Sequence, residues 1–300
     1  MRAFNRMLVA FMPVFPKSFI WLFSKRYIAG VTLGDGVHTV KLMNQIRCSA
    51  TMDLLGEDIE SLSSAEQTYN ECIRILEAVH KSSLDSNLSV KLTALGLKID
   101  KEACYSYVEN IVKKADSFGN FVRLDMEDSS CTDDTLDIYR RLRHRYTNVG
   151  TVIQAYLKRS HSDVRELINE NIANLRLCKG IYDEPETIAF KDRTQIQEQF
   201  VKLIDMMLKS GSYPGIATHD PVIIDESLKL LSSYDIKPSS YEFQMLLGVA
   251  EKRRKKLRDQ GHNLRVYVPY GENWYAYSRR RLKENPQLAG HIVKNLFIRA

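Results

Sequence analysis

Short β-rich segments alternate strictly with longer amphipathic ones along almost the whole chain, and that rhythm constrains the fold more than any other feature of the sequence. Eight strands are predicted, at Arg47–Leu54, Asn87–Thr93, Asn120–Glu127, Gly150–Leu157, Asn174–Ile181, Tyr213–Thr218, Ser240–Leu247 and Leu264–Pro269. Helical spacing of apolar residues follows each of them, at Ser63–Lys81, Asp100–Phe118, Thr132–Tyr146, Ser160–Asn171, Lys191–Lys209, Pro221–Tyr234, Gly248–Gln260 and Asn273–Asn285. Thr132 and either Ser160 or Ser162 are expected as N-caps, and Gly119, Gly211 and Gly261 sit where helices should stop. A strand–helix alternation of this kind builds a parallel sheet. Eight units predict an α/β chain closed into a (β/α)8 TIM-type barrel. The open doubly wound sheet is the rival, but it would normally carry a glycine-rich first turn, and neither G-x-G-x-x-G nor G-x-x-x-x-G-K-[ST] occurs.

The 300 residues, 44% of them hydrophobic, suit one such barrel and are enough to fold without disulfides or metal. The net charge of +6 is mild, so nucleic acid is not expected as a partner. The basic run Glu251–Arg258 reads as a solvated helix face. Five cysteines, an odd count without a C-x-x-C pair, argue against a disulfide framework and against a zinc site, and for a reducing, cytoplasmic location. No apolar run reaches the length of a membrane span. Met7–Phe15, after Arg2 and Arg6, mimics a short leader, but Pro13 and Pro16 interrupt it and no A-x-A site follows. Residues 1–30 are therefore expected to form an amphipathic helical arm, and residues 31–300 the barrel domain. The arm either packs on the domain's own surface or makes a shallow, peripheral contact with a membrane.

Strand parity then exposes an anomaly. The interior of such a barrel is normally filled with bulky branched side chains. Here Val90 and Leu92 suit the helix side, which turns Lys91 and Thr93 inward. By the same alternation Arg123, Asp125 and Glu127 face in, as do Gln154, Tyr156, Arg176 and Cys178. Lys91, Asp125, Gln154, Arg176, Thr218, His219, Gln244 and Tyr267 would ring the C-terminal mouth, where active sites of these barrels lie. Buried charge without a partner costs several kcal/mol. One buried Lys–Asp pair could be purely structural; a ring of eight polar groups calls for a polar ligand. On the last helix Tyr277, Arg280, Arg281 and Glu284 share one face. That face is either a solvated one, with Arg280 and Glu284 as an i,i+4 pair, or a lid over the mouth whose two guanidiniums form a fork for a carboxylate.

These residues resemble the proline dehydrogenase family in the segments VKLTALGL (Val90–Leu97), RLDMEDS (Arg123–Ser129), VGTVIQAYLKRS (Val149–Ser160), LRLCKGIYDEP (Leu175–Pro185), IATHD (Ile216–Asp220), YEFQMLLG (Tyr241–Gly248), RVYVPYG (Arg265–Gly271) and YSRRRLKE (Tyr277–Glu284). The resemblance runs in order from about Tyr27 to Pro286. It implies an FAD-dependent (β/α)8 barrel of the monofunctional type that oxidises L-proline to Δ1-pyrroline-5-carboxylate and passes electrons to a quinone. It implies substrate roles for Lys91, Leu246, Tyr267, Tyr277, Arg280, Arg281 and Glu284, with the two arginines on the carboxylate. Asp125, Arg176 and Tyr182 take the active-site roles. The FAD contacts fall to Met126, Gln154, Arg176, Lys179, Gly180, Ile181, Thr218 and His219, and Gln244 of the mouth ring is placed with them. One departure stands out: the family usually has Ala-Gly-Glu early in the chain, where this chain has Ala29-Gly30-Val31, and Val31 cannot supply the glutamate that pairs with the first arginine as a gate. Asp35 is the nearest acid able to replace it. A link to a separate pyrroline-5-carboxylate dehydrogenase is a further expectation. Three alternatives stay open: a flavin barrel acting on hydroxyproline or another substrate, a flavin-free Schiff-base lyase using Lys91 or Lys179, and a non-catalytic protein that keeps the fold.

Overall fold

The structure is a computed structural model in which Ile20, Trp21 and residues 24–278 are described. The residues 1–19 of the expected arm, and Arg280, Arg281 and Glu284 of the expected lid, lie outside them. Eight parallel strands close on themselves in sequence order, β1 pairing with β8. The order is α1 (Leu33–Gln45), β1 (Ser49–Leu54), α2 (Leu62–Lys81), β2 (Ser86–Val90), α3 (Lys101–Ser117), β3 (Val122–Leu124), α4 (Thr132–Arg143), β4 (Val149–Gln154), α5 (Ser160–Asn169), β5 (Asn174–Cys178), α6 (Arg193–Lys209), β6 (Tyr213–Ala217), α7 (Pro221–Ser233), β7 (Glu242–Leu246), α8 (Glu251–Asp259) and β8 (Leu264–Tyr270). The expected (β/α)8 barrel is the observed fold. A last helical stretch begins at Trp274 and runs to the end of the described residues.

Helix α1 was not expected. Its amphipathic signal is weak, and Gly34 and Gly36 sit in its first turns. What starts it is a capping box: the Thr32 hydroxyl accepts from Asp35 N while the Asp35 carboxylate accepts from Thr32 N. Side chains of Ser61, Asp100, Asp192 and Asp220 cap α2, α3, α6 and α7 in the simpler way. The caps expected at Thr132 and at Ser160 or Ser162 are displaced, because Cys131 and Arg159 hold those positions. The Ser160 hydroxyl donates instead to Gln154 O, closing the end of β4. Gly119, Gly211 and Gly261 do take left-handed φ values just past helix ends.

One parity of each strand forms the main core with the helices. Leu88, Val90, Val122, Leu124, Ile153, Leu175, Leu177, Ile216, Phe243, Val266 and Val268 are all buried there. The other parity fills the cylinder with Thr51, Asp53, Asn87, Ser89, Arg123, Asp125, Gln154, Arg176, Glu242 and Gln244, every one buried. Tyr156 departs from its expected inward place. The strand ends at Gln154, alternation ends with it, and Tyr156 packs with Leu157 and Ala189 in a separate cluster. Arg123 points in, but toward the N-terminal end. There its guanidinium donates to Thr151 O and Asn174 O, at 3.0 and 2.7 Å, and to Asn174 Oδ1 at 2.8 Å. Gly150 makes room for it: a Cβ at that position would lie 2.3 Å from Arg123 Nη1 and 2.7 Å from the backbone oxygen of Asn174. Gly150→Ala is therefore expected to cost about 1–3 kcal/mol as overpacking, read as a drop of several degrees in melting temperature. An unchanged melting temperature would show that the layer yields freely.

The segment before α1 clasps the end of β8 and the stretch that follows it, up to Ser278. Ala29 N donates to Pro269 O (2.9 Å), Gly271 N to Gly30 O (3.1 Å), and Ser24 and Ser278 share a hydrogen bond of 2.6 Å. Tyr27, Ile28, Leu55 and Tyr277 form a small apolar cluster beneath it. These described residues of the arm thus pack on the domain itself. No helix among the described residues is long and apolar enough to cross a membrane. All five cysteines are free.

Candidate active site at the barrel mouth

A cavity of about 540 Å³ opens at the C-terminal ends of the strands. Its charged and polar wall is made by Lys91, Asp125, Glu127, Gln154, Arg176, Thr218, His219 and Gln244. Met126, Val152, Ile181, Met245, Leu246, Tyr267 and Tyr277 supply the apolar and aromatic side, and the loop after β5 adds Lys179, Gly180 and Tyr182. Every candidate site residue within the described part of the chain lines this one space. Arg280, Arg281 and Glu284 cannot be placed, because they lie outside that part.

The strand ends deliver these groups by register. Asp53 of β1 pairs with Ser89 of β2, and Leu246 of β7 with Tyr267 of β8. Asp125 follows β3 and is tied back by its N–H to Val90 O. At the centre lies an alternating chain of charge. Lys91 Nζ donates to Asp53 Oδ1 at 2.6 Å and stands 3.6 Å from Asp125 Oδ2. Arg176 Nη1 donates to Asp125 Oδ1 at 2.6 Å, and the Ser89 hydroxyl donates to the same oxygen at 2.6 Å. Tyr267 OH sits 3.4 Å from both Lys91 Nζ and Asp125 Oδ2, and its ring centroid is 5.5 Å from the Arg176 guanidinium carbon. Arg176 Nε donates to Gln244 Oε1 at 2.7 Å. Asp53 and Ser89 were not among the candidate residues. The alternation that selected Lys91 also selects them: Ala50 and Met52 face the helices, so Thr51 and Asp53 face in.

Burial acts on every group here, and the neighbours decide the outcome. Burial pushes the Asp53 carboxyl above its ordinary range, even against the attraction of Lys91. Asp125 is equally buried, but the Arg176 and Lys91 charges and the Ser89 hydrogen bond outweigh that and hold its carboxyl below the ordinary range. Desolvation disfavours the Lys91 ammonium, yet Asp53 and Asp125 more than offset it, so it stays charged with a raised pKa. Burial raises the Tyr267 and Tyr182 phenols, which therefore remain protonated donors. The His219 ring accepts the Leu246 N–H on Nε2 at 2.9 Å, so it is neutral with its proton on Nδ1.

Two features bear on a cofactor. Gln154 donates to Met126 O and Glu127 O, both at 3.2 Å, and this leaves its buried Oε1 with no partner among the described residues. An unpaired buried carbonyl needs a donor, and the imide N–H on the pyrimidine edge of a flavin is one of suitable chemistry. The second feature is the loop at Gly180, which takes φ +103° directly on the Tyr156 ring; any Cβ there would strike the ring at 2.1 Å. Backbone is thereby exposed at the cavity edge, while Lys179 is anchored on Asp220 Oδ2 at 2.7 Å. Arg193 and Gln197 join the same oxygen; against burial, the Lys179 and Gln197 bonds, the Lys179 charge and the cap bond from Val222 N hold Asp220 at a pKa of about 2. An apolar slot with a carbonyl awaiting a donor and a fixed guanidinium on one wall fits a flavin ring.

Asp35 caps the first helix through one of its two carboxylate oxygens. One carboxylate oxygen accepts from Val31 N, Thr32 N and the Thr32 hydroxyl, which caps α1, and Val31 lies partly exposed beside it. A second cavity of about 510 Å³ opens at the opposite end of the barrel, and its charged groups Arg265 and Glu242 pair with one another.

Comparison with known proteins agrees with this geometry. Residues 37–293 match the model of a family described as proline dehydrogenase. Proline dehydrogenase 1 of Bacillus subtilis (strain 168) is 39% identical over 273 residues, covering 91% of this chain and 90% of that one. Proline dehydrogenase of Deinococcus radiodurans is 34% identical over 282 residues, covering 92% and 91%. Among solved structures, proline utilization A from Bdellovibrio bacteriovorus, inactivated by N-propargylglycine, superposes with a TM-score of 0.82 at 25% identity. A proline utilization A mutant from Bradyrhizobium japonicum does so at 0.74 and 20%. This chain spans about a third of those two longer chains, 32% and 31% of their length.

Proposed function

The chain belongs to the proline dehydrogenase family and is an oxidoreductase that acts on proline, and from that premise we propose that it oxidises L-proline to Δ1-pyrroline-5-carboxylate at the barrel mouth with FAD as its cofactor. The observation that carries this reading is the buried Asp53–Lys91–Asp125–Arg176 chain, which meets a cavity that also carries an apolar and aromatic side.

In this reading Gln154, Met126, Thr218, His219, Gln244 and the Lys179–Ile181 loop hold the cofactor. FAD, when bound, supplies the acceptor for the hydride leaving the ring carbon next to nitrogen. The protein's own work is placement and charge. Leu246, Tyr267 and Tyr277 hold an apolar ring of proline size against the wall, and fixing a near-attack geometry supplies a large part of the rate. Lys91, together with Arg280 and Arg281 beyond the described residues, takes the substrate carboxylate, and Glu284 stands for its amine. Arg176, held on Asp125, Ser89 and Gln244, is a cation that need not reorganise as negative charge develops beside it. Asp125 stays ionised and keeps both cations in place. Tyr182 closes the side formed by the β5 loop. Electrons then pass to a quinone, the arm offers a peripheral membrane contact, and the product goes to a separate pyrroline-5-carboxylate dehydrogenase.

Anaerobic titration with L-proline, watched in the visible spectrum, tests this. The purified protein is expected to be yellow and to bleach with proline. A colourless protein unaffected by added FAD points to the Schiff-base alternative at Lys91 or Lys179, and bleaching by hydroxyproline alone moves the substrate. Arg280→Ala combined with Arg281→Ala is expected to raise the KM for proline by about 100-fold or more, the value of two charge-assisted hydrogen bonds, with flavin still bound. Unchanged proline kinetics in that variant remove the carboxylate assignment.

A further inference from the structure

We propose that Glu242, on the interior face of β7 and away from the mouth, is a positioning residue for Arg176 and acts on it through the amide of Gln244. The proposal rests on the reading that Arg176 faces the reacting centre.

Glu242 is buried, and both its oxygens accept from Arg265 Nε, at 2.8 and 3.0 Å. Its Oε1 also accepts from Gln244 Nε2 at 2.6 Å, while Gln244 Oε1 accepts from Arg176 Nε at 2.7 Å. The neighbours of this amide are of opposite and fixed character. A carboxylate only accepts hydrogen bonds and a guanidinium only donates them. One amide orientation therefore satisfies both, and the flipped one sets oxygen against oxygen and N–H against N–H. Glu242 thus holds the far end of Gln244 in the one orientation that Arg176 requires. The consequence reaches the mouth because Arg176 has three anchored edges: Nε on Gln244, Nη1 on Asp125 at 2.6 Å and Nη2 on Ser89 at 3.3 Å. Releasing the first lets the guanidinium plane turn about the other two.

The state of the carboxyl is secure. Burial opposes its ionisation, but Arg265, paired at 2.8 Å, and Arg123 beside it bring Glu242 below the ordinary carboxylate range. The other groups packed around it are the Tyr213 phenol, which burial keeps protonated, and Gln244 itself. Across the working pH range the carboxylate stays an acceptor and the amide stays fixed.

Glu242→Gln keeps the shape and removes that constraint, since an amide at position 242 can face Gln244 with either end. Three FAD-loaded variants are compared with the wild type: E242Q, Q244M and the double variant. For each, kcat, the KM for proline, the reduction potential of the bound flavin without proline, and the melting temperature are measured. E242Q is expected to lower kcat by about 10- to 100-fold, the value of one charge-assisted hydrogen bond, and to shift the flavin potential, with KM within about threefold. In the Q244M background the same change is expected to have less than about a twofold effect, because the route to Arg176 is already cut. Equal losses from E242Q in both backgrounds, or a lower melting temperature with wild-type kcat and potential, overturn the proposal. If E242Q does not fold, Q244M decides it alone, since it leaves the Glu242–Arg265 pair intact. Wild-type kcat and potential in Q244M overturn the relay, as does a loss that comes with weakened FAD binding; a loss at unchanged FAD affinity and unchanged melting temperature supports it. A wild-type protein that proline does not bleach brings down the underlying reading as well. A wild type that bleaches beside an E242Q that behaves like it brings down the relay alone.

Discussion

Lys91→Met is expected to destabilise the protein by about 3–5 kcal/mol and to lower kcat/KM for proline by about 100-fold or more. Lys91 is the cation between two buried carboxylates, 2.6 Å from Asp53 and 3.6 Å from Asp125. Methionine matches its length but leaves those two buried carboxylates facing one another without a cation between them. Asp53 is the one to yield, since burial already holds its carboxyl above the ordinary range, and without Lys91 it rises further. A carboxyl raised in the folded state binds its proton more tightly there than in the unfolded chain. Stability is then fullest below the unfolded carboxylate value near 4 and is lost as pH climbs through the raised folded value. The deficit of the variant relative to wild type should therefore be smaller near pH 5 than near pH 8. Thermal melts of both proteins at the two pH values check this. A deficit that is equal at both, or absent, means that Asp53 does not depend on Lys91 for its charge.

The barrel was legible because eight parallel strands need a helical crossover between each and the next, and the apolar face of each strand was continuous enough to assign parity. That parity led to Lys91, Asp125, Gln154 and Arg176, since a charge between two core-facing aliphatics has one direction to point. Alternation holds only while a strand lasts: it ends with β4, and Tyr156 goes to a side cluster instead. In β1, Ala50 and Met52 fix the direction of Asp53 as firmly as Val90 and Leu92 fix that of Lys91. Parity carries no depth: Arg123 and Asp125 share a face, but Arg123 lines the far cavity and Asp125 the mouth. Helix α1 escaped because its start depends on the side-chain hydrogen bonds of Thr32 and Asp35 rather than on periodicity. Those same bonds fix Asp35 at the start of the helix through one carboxylate oxygen, and the arginine it would have to meet lies outside the described residues.

The charged interior also separates two properties that a residue at the mouth can have, its charge and its direction, and Arg176 is where they can be measured apart. Arg176→Met removes both. It takes from Asp125 the strongest influence holding that carboxyl down, leaving burial opposed by Lys91 and Ser89. The Asp125 pKa should rise, and with it the acid limb of kcat/KM against pH, while kcat falls by about 1,000-fold. Arg176→Lys keeps a cation near Asp125 but loses the planar fork that reaches Gln244, Asp125 and Ser89 together. The lysine variant should therefore restore most of the acid limb but little of the rate, with kcat still about 100-fold below wild type. Proline kinetics across the pH range on both variants separate the two contributions. If lysine restores kcat to within about threefold, a point charge suffices and the three anchored edges of Arg176 serve packing alone. If methionine leaves the acid limb where it was, Asp125 is not held down by Arg176, and the charge chain at the mouth is less tightly coupled than its 2.6 Å contacts indicate.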